Sequence, residues 1–240
     1  MAFNKESQGF TFLFSIIMVV VVATVLAVAA LGLKGPQEEN MKQEKMQNVL
    51  GSIQVESSRE EASAKFGEFI KKRVILDSEG NVLSETEGDV KTLSVDGKEA
   101  YESDAFNIDI KKQYRDKSLT DQQKRFPLFI CEKDGNPYYV VPLVGTGLWG
   151  PIWGFIALEA DMNTIFGATF DHKTETPGLG AEINQSWFEE PFVGDKIFDD
   201  AGAFVSVKVV KGGADAADMH GVDAITGGTI TSNGVSSMLE

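Results

Sequence analysis

Sulfur and imidazole are scarce in this chain. Cys131 is the only cysteine among 240 residues, so no intrachain disulfide and no thiolate metal cluster can form. His172 and His220 are the only histidines, which excludes a multi-histidine metal site. There is no G-x-S-x-G stretch to build a nucleophile elbow. No catalytic residue and no metal ligand is therefore expected. Basic runs of five or more are absent, and 22 Lys and Arg stand against 36 Asp and Glu, a net charge of -14. A phosphate-backbone partner such as DNA or RNA is not expected. No internal repeat of 20–50 residues is visible.

Charge is also missing from one long run. Residues 10–33, from Phe10 to Leu33, hold no charged side chain. As a helix this run spans roughly 36 Å, more than the ~30 Å hydrocarbon core. Ala27-Val28-Ala29 offers the pattern of a cleaved signal peptide, but the run exceeds the usual apolar region of such peptides. The expectation is an N-terminal tail over 1–9 and one retained transmembrane helix over 10–33 in the lipid bilayer. Lys5 before the run and Lys34 after it leave the orientation open by charge.

Pro36 is expected to break the anchor from the segment after it. Met41, Met46, Val49, Leu50 and Ile53 recur at helical spacing over residues 37–53, reading as a stalk helix, as a helix lying on a partner, or as one packed in the core. Ser57 or Ser58 with Glu60 or Glu61 resembles a helix start, followed by the stripe Ala62, Phe66, Phe69 and Ile70. Lys71-Lys72-Arg73 suits the end of that helix. Residues 34–73 thus read as stalk or linker helices, and 74–240 as the folded domain.

Strand patterns dominate from there. Residues 73–76 and 81–83 flank a hairpin turn at Asp77-Ser-Glu-Gly80. Residues 85–123 are polar and acidic, with short apolar runs at Val90, Leu93, Val95 and Ile108 to Ile110, and read as an insertion of loops and short strands over one edge. Residues 126–131, 137–144, 154–158, 163–170 and 204–210 read as strands, and 186–191 as a short helix ended by proline. The fold class is α+β: one transmembrane helix, stalk helices, and a mostly antiparallel sheet.

Three polar glycine loops interrupt this pattern. The first is Asp223-Ala-Ile-Thr-Gly-Gly-Thr-Ile-Thr-Ser232, with hydroxyls at Thr226, Thr229, Thr231 and Ser232 around Gly227 and Gly228. It is either a Gly-rich turn before a terminal helix or a phosphate cradle, since hydroxyls and bare amides suit a group wanting several donors. The others are Gly145-Thr-Gly-Leu-Trp-Gly150 and Glu175-Thr-Pro-Gly-Leu-Gly-Ala-Glu182. Neither is a G-x-G-x-x-G followed by a helix, so a Rossmann site is not supported. Each alone reads as a tight turn. Together they could bind a flat ring, resting on Leu148, Trp149 and Leu179, with a phosphate tail.

The stretch from Asp223 to Ser232 resembles the covalent-flavin motif of the FMN-binding domain family, D-x-[ST]-[ST]-G-A-T-x-T-S. The loops at 145–150 and 172–180 look like its companion motifs. This chain departs from the motif at Gly228, where alanine is usual, and at Ile225, where a small or polar residue is common. Few residues remain before Glu240 for the helix that should come next, which fits a chain cut short there.

The resemblance implies FMN attached through a phosphodiester to Thr229 by a separate flavin transferase that uses FAD and magnesium. It implies cofactor contacts from Thr226, Gly227, Gly228 and Asp223. Further contacts would come from Thr146, Gly147, Leu148 and Trp149, and from Glu175, Thr176, Gly178, Leu179 and Gly180. Lys211 either offsets phosphate charge or is an exposed strand-end lysine. The anchor with Lys34-Gly-Pro-Gln-Glu-Glu-Asn40 and Gln47-Asn-Val-Leu50 is similar to membrane subunits of sodium-translocating NADH:quinone oxidoreductases within that family. That similarity implies an electron carrier without its own NADH or sodium site, in a six-subunit complex of the bacterial inner membrane, with the FMN domain periplasmic. The related flavin-bearing subunit of the Rnf complex is an alternative, and a non-redox membrane-anchored scaffold is another.

Overall fold

The computed structural model describes residues 7–90, 104–215 and 217–240. Helix α1, Gln8–Ser52, is long and apolar enough to cross a membrane: its most apolar 18-residue window has a mean hydropathy of 3.0 and no buried residue. Pro36 does not break it, contrary to the sequence expectation. A proline removes one backbone hydrogen bond and crowds the preceding turn, and the two glycines of that turn, Gly32 and Gly35, leave open space. The chain forms two compact units, Met1–Glu44 and Lys45–Glu240. Lys5 lies outside the described residues.

Within the second unit, the last turns of α1 bury Met46, Val49 and Leu50 in a core, which Ile53, directly after the helix, joins. Helix α2, Ala62–Phe69, adds Ala62 and Phe66 to it. Strand β1 is Ile70–Leu76, so Lys71, Lys72 and Arg73 belong to a strand and not to a helix end. Arg73 is buried in ion pairing with Asp104 (Nε to Oδ1 2.9 Å) and donates to the Gly88 carbonyl at 2.7 Å. Strand β2, Val82–Thr86, completes the expected hairpin. Beyond it lie a 3-10 turn at Ala105–Asn107, helix α3 at Ile110–Arg115, and a 3-10 turn at Asp121–Gln123. Leu93 and Val95 lie outside the described residues.

Strands β3 (Phe126–Lys133), β4 (Asn136–Thr146), β5 (Pro151–Leu158) and β6 (Ile165–His172) finish a six-stranded sheet of order β2-β1-β3-β4-β5-β6. Every neighbouring pair is antiparallel. Period-two alternation decides what each face buries. Along β5, Ile152, Ile156 and Leu158 enter one core while Phe155 and Ala157 enter the other. Cys131 on β3 belongs to the second core, where burial pushes its thiol up to about 12. The first face carries helix α4 (Ser186–Glu189), a parallel pair β7 (Lys208–Val210) and β8 (Gly221–Asp223), and helix α5 (Thr229–Leu239). The predicted strand over 204–210 shrinks to β7. Ser206 adopts φ 61°, which breaks the pleat, and the Val205 and Ser206 amides both donate to the Ile197 carbonyl.

Candidate functional site

Helix α5 starts from a tight turn. The Gly228 amide donates to the Ile225 carbonyl at 3.0 Å, and Gly227 takes φ 79°, as a type II turn requires at its third residue. The first bond of the helix is Ser232 N to the Gly228 carbonyl, 2.9 Å. The amides of Thr229, Ile230 and Thr231 therefore precede the ladder, at the positive end of the helix dipole. Gly234 presses the helix onto β4: a Cβ there would run into the Thr146 carbonyl oxygen. A mid-helix glycine is unfavourable against alanine, so its presence signals such a close approach.

The four hydroxyls of this stretch divide two and two. Thr231 Oγ1 donates to Glu175 Oε2 at 2.6 Å, and Ser232 Oγ accepts from the Ile225 amide at 3.2 Å. Among the described residues the side chains of Thr226 and Thr229 have no hydrogen-bond partner. Thr226 is exposed on the turn, and Thr229 is half-buried as the first residue of α5.

Glu175 is what joins the three loops. It is 5 % exposed, and its Oε1 accepts from the Trp149 amide at 2.8 Å while Oε2 takes the Thr231 hydroxyl. Its own amide donates to His172 Nδ1 at 3.2 Å. A Cβ on Gly147 would sit 2.6 Å from Oε1, and one on Gly180 would sit 2.5 Å from Oε2. Both loops can thus close on the carboxylate only through glycine. The loop at 147–150 is itself pinned by Gly147 N to the Gly150 carbonyl, 2.8 Å. Thr176 offers its carbonyl to the amides of Leu179 and Ala181, and Gly178, at φ 76°, donates to Glu182 Oε1.

Around this hub the large apolar side chains point outward. Leu148, Trp149, Leu179 and Ile230 are between 40% and 65% exposed. Leu179 lies over the turn, where a Cβ on Gly227 would be 2.7 Å from its Cδ2. Bare amides, two unengaged hydroxyls and a rim of apolar side chains fit a flat ring carrying a phosphate. Among the described residues there is no group of three or more His, Cys, Asp or Glu able to hold a metal.

Other candidates lie further out. Asp223 Oδ1 accepts from the Ala214 amide at 2.7 Å and closes the loop after β7. Lys211 is exposed directly after that strand. Thr146 lines a separate hollow of about 160 Å³, with Lys111, Tyr114 and Arg115 of α3. The two motif departures meet in space: a Cβ on Gly228 would stand 3.0 Å from Ile225 Cγ2. A larger residue at 225 leaves room for glycine at 228. Ile230 and the glycine in α5 were not among the sequence candidates; an exposed-side isoleucine amid hydroxyls and a glycine within a helix were the available signals.

A family model for the FMN-binding domain matches residues 147–240, which include Gly147, Glu175 and Thr229. NqrC of the Na(+)-translocating NADH-quinone reductase of Vibrio anguillarum is 34% identical over 239 residues, spanning 98% of this chain and 90% of the relative. The NqrC of Yersinia pestis is 31% identical over 97% of this chain and 87% of its own length. The chain belongs to the NqrC family of Na(+)-translocating NADH-quinone reductases. A crystal structure of the NqrC of Parabacteroides distasonis aligns with a TM-score of 0.70 at 42% identity, covering 86% of this chain and 91% of that one. Shewanella oneidensis NqrC aligns with a TM-score of 0.62 at 30% identity, covering 83% and 91%.

Two further carboxylates of this NqrC family member are perturbed. Burial raises Glu189 to about 7, against the Phe170 amide that it accepts at 2.7 Å, and Asp171 adds to the rise. Burial and the nearby Asp218 raise Asp195 to about 6, with His220 opposing, and its Oδ2 has no partner among the described residues.

Proposed function

We propose that this chain is a membrane-anchored electron-transfer subunit of a Na(+)-translocating NADH-quinone reductase, carrying FMN on Thr229 through a phosphodiester. The observation that carries the assignment to Thr229 is the division of hydroxyls. Thr231 and Ser232 are engaged by Glu175 and by the Ile225 amide, which leaves Thr226 and Thr229, and of these two Thr229 stands at the start of α5 and occupies the acceptor position of the motif. A transferase using FAD and magnesium would form the Thr229 Oγ1–P bond, break the pyrophosphate bond, release AMP and take up the hydroxyl proton. Bound FMN supplies the redox chemistry.

The chain's residues bind and shield. The amides of Thr229, Ile230 and Thr231 face the phosphate, with Thr226 as a second hydroxyl donor. Gly227 and Gly228 leave space for it. Leu148, Trp149, Leu179 and Ile230 cover the ring and exclude water. Glu175 holds the two companion loops against α5, and Lys211 and Asp223 border the turn. The chain has no NADH or sodium site of its own in this reading. Its partners are the other subunits of a six-subunit complex, α1 anchors it in the bacterial inner membrane, and the FMN domain faces the periplasm.

In-gel flavin fluorescence of the denatured chain, co-expressed with the transferase, tests the attachment. The expected result is a fluorescent band and an intact mass raised by one FMN less water, both lost in Thr229→Ala. A colourless wild-type band, or a fluorescent Thr229→Ala, rejects the assignment.

A further inference from the structure

Charge is distributed unevenly in this acidic chain. Residues 109–125 hold six Lys and Arg against three Asp, within a protein of net charge -14. Lys124 is engaged by Asp121 at 2.7 Å, and Arg125 by the carbonyls of Gln122 and Lys124. Lys112 and Arg115 are exposed and make no ion pair among the described residues. Lys111 lies with its ammonium 3.6 Å from the centre of the Trp153 ring, which fixes α3 over the β5 strand.

The hollow of about 160 Å³ between α3 and the ends of β4 and β5 is the size of a side-chain head group. Arg115 and Tyr114 line one wall, and Thr146 and Gly150 line the other. The same two residues bracket the loop that carries Leu148 and Trp149, which are 53% and 65% exposed. Arginine, tyrosine and tryptophan are the types that dominate binding energy at protein interfaces. The acids Asp109 and Asp116 interleave with the basic residues, unlike the uninterrupted clusters that hold anionic lipid.

We propose that α3 and the Leu148–Trp149 tip form one docking face for an acidic protein partner, whose carboxylate enters the hollow against Arg115. The guanidinium and the Tyr114 hydroxyl donate to that carboxylate, and the apolar tip is covered by the partner's surface. This face is joined to the start of α5, because the Trp149 amide is bonded to Glu175 and Glu175 to Thr231. That the partner exchanges electrons with this chain rests on the proposed function; the face itself rests on charge and shape.

Zero-length carbodiimide coupling in the intact purified complex tests it, with mass spectrometry of the linked peptides. The expected links join Lys112 or Lys117, which is exposed two residues after α3, to an Asp or Glu of another polypeptide. Lys112→Glu with Arg115→Glu should keep the fluorescent flavin band yet lower turnover about tenfold at low ionic strength, the gap closing as salt is added. The milder Arg115→Gln should fall between. Links confined to this chain or to a second copy overturn the proposal. So does unchanged turnover, a defect seen only in anionic nanodiscs, or loss of the flavin band in the charge-reversed chain. A wild-type chain without flavin overturns the proposed function instead, and the coupling pattern still decides the docking face.

Discussion

The two faces of the six-stranded sheet use similar residues to opposite ends. One face closes on itself: Phe66 packs edge-on to Phe106 and Phe129 at 5.4 and 6.2 Å, and the end of α1 seals Met46 and Leu50, with Ile53 directly after it. Its buried charges are matched there too, Arg73 by Asp104, and Lys45 by the carbonyls of Phe106 and Ile108. The other face begins in the same way, with Phe170, Phe188 and Phe192 in mutual contact. It ends, however, in polar clamps around Glu175 and in a helix start whose first amides and one hydroxyl are unengaged. A core that pairs its buried charges makes stability. A core that stops one turn short makes a binding site.

The largest effect should come from the closed face. Arg73→Met strands the Asp104 carboxylate and should cost about 3–5 kcal/mol in urea unfolding, with the flavin band retained in the folded fraction. Retention of full stability would break the contrast. On the open face, Gly234→Ala drives a methyl into the Thr146 carbonyl. It should cost up to about 3 kcal/mol and displace the start of α5, read as less flavin per mole of chain. Thr231→Val leaves Glu175 Oε2 without its donor and should cost about 1–2 kcal/mol by the same unfolding assay.

The faces should also differ in sign against pH. Glu189 is raised in the folded state, so the native chain holds more protons between about 4.5 and about 7, and stability falls as pH rises through that window. Lys45 is lowered to about 8, first by burial, so the unfolded chain holds more protons above that value, and stability rises from about 8 to 10.5. Asp195, raised to about 6, adds to the same fall below that pH, so thermal melts of Glu189→Gln should lose the slope between about 6 and about 7 and keep the rise from about 8 to 10.5. The smallest effect is at the motif departures: Gly228→Ala alone should lower flavin incorporation, and Ile225→Thr beside it should restore it.

Much of this fold was readable from patterns with a physical period. The apolar run of α1, the hairpin turn at 77–80 and the short apolar runs of strands β3 to β6 are visible in the sequence, whereas the alternation at 204–210 overstated its strand. Arg73 was not readable, because Lys71-Lys72-Arg73 looks the same ending a helix as it does in a strand whose fourth residue meets a distant aspartate. Ser206 was not, since a left-handed serine leaves no trace in a row of valines. The three loops were recognisable by their glycines. Their junction was not, because a carboxylate within Glu175-Thr-Pro-Gly gives no sign of being buried and bonded to two other loops.

The burial of Cys131 has a practical consequence. A thiol pushed up to about 12 carries almost no thiolate near neutral pH, and β3 shields it from reagents. Since the chain has no other cysteine, it is already a silent background for site-directed labelling. A single cysteine placed at Leu148 or Arg115 would take a maleimide fluorophore or spin label alone, turning the loop tip and the α3 surface into reporters whose distances can be followed through turnover.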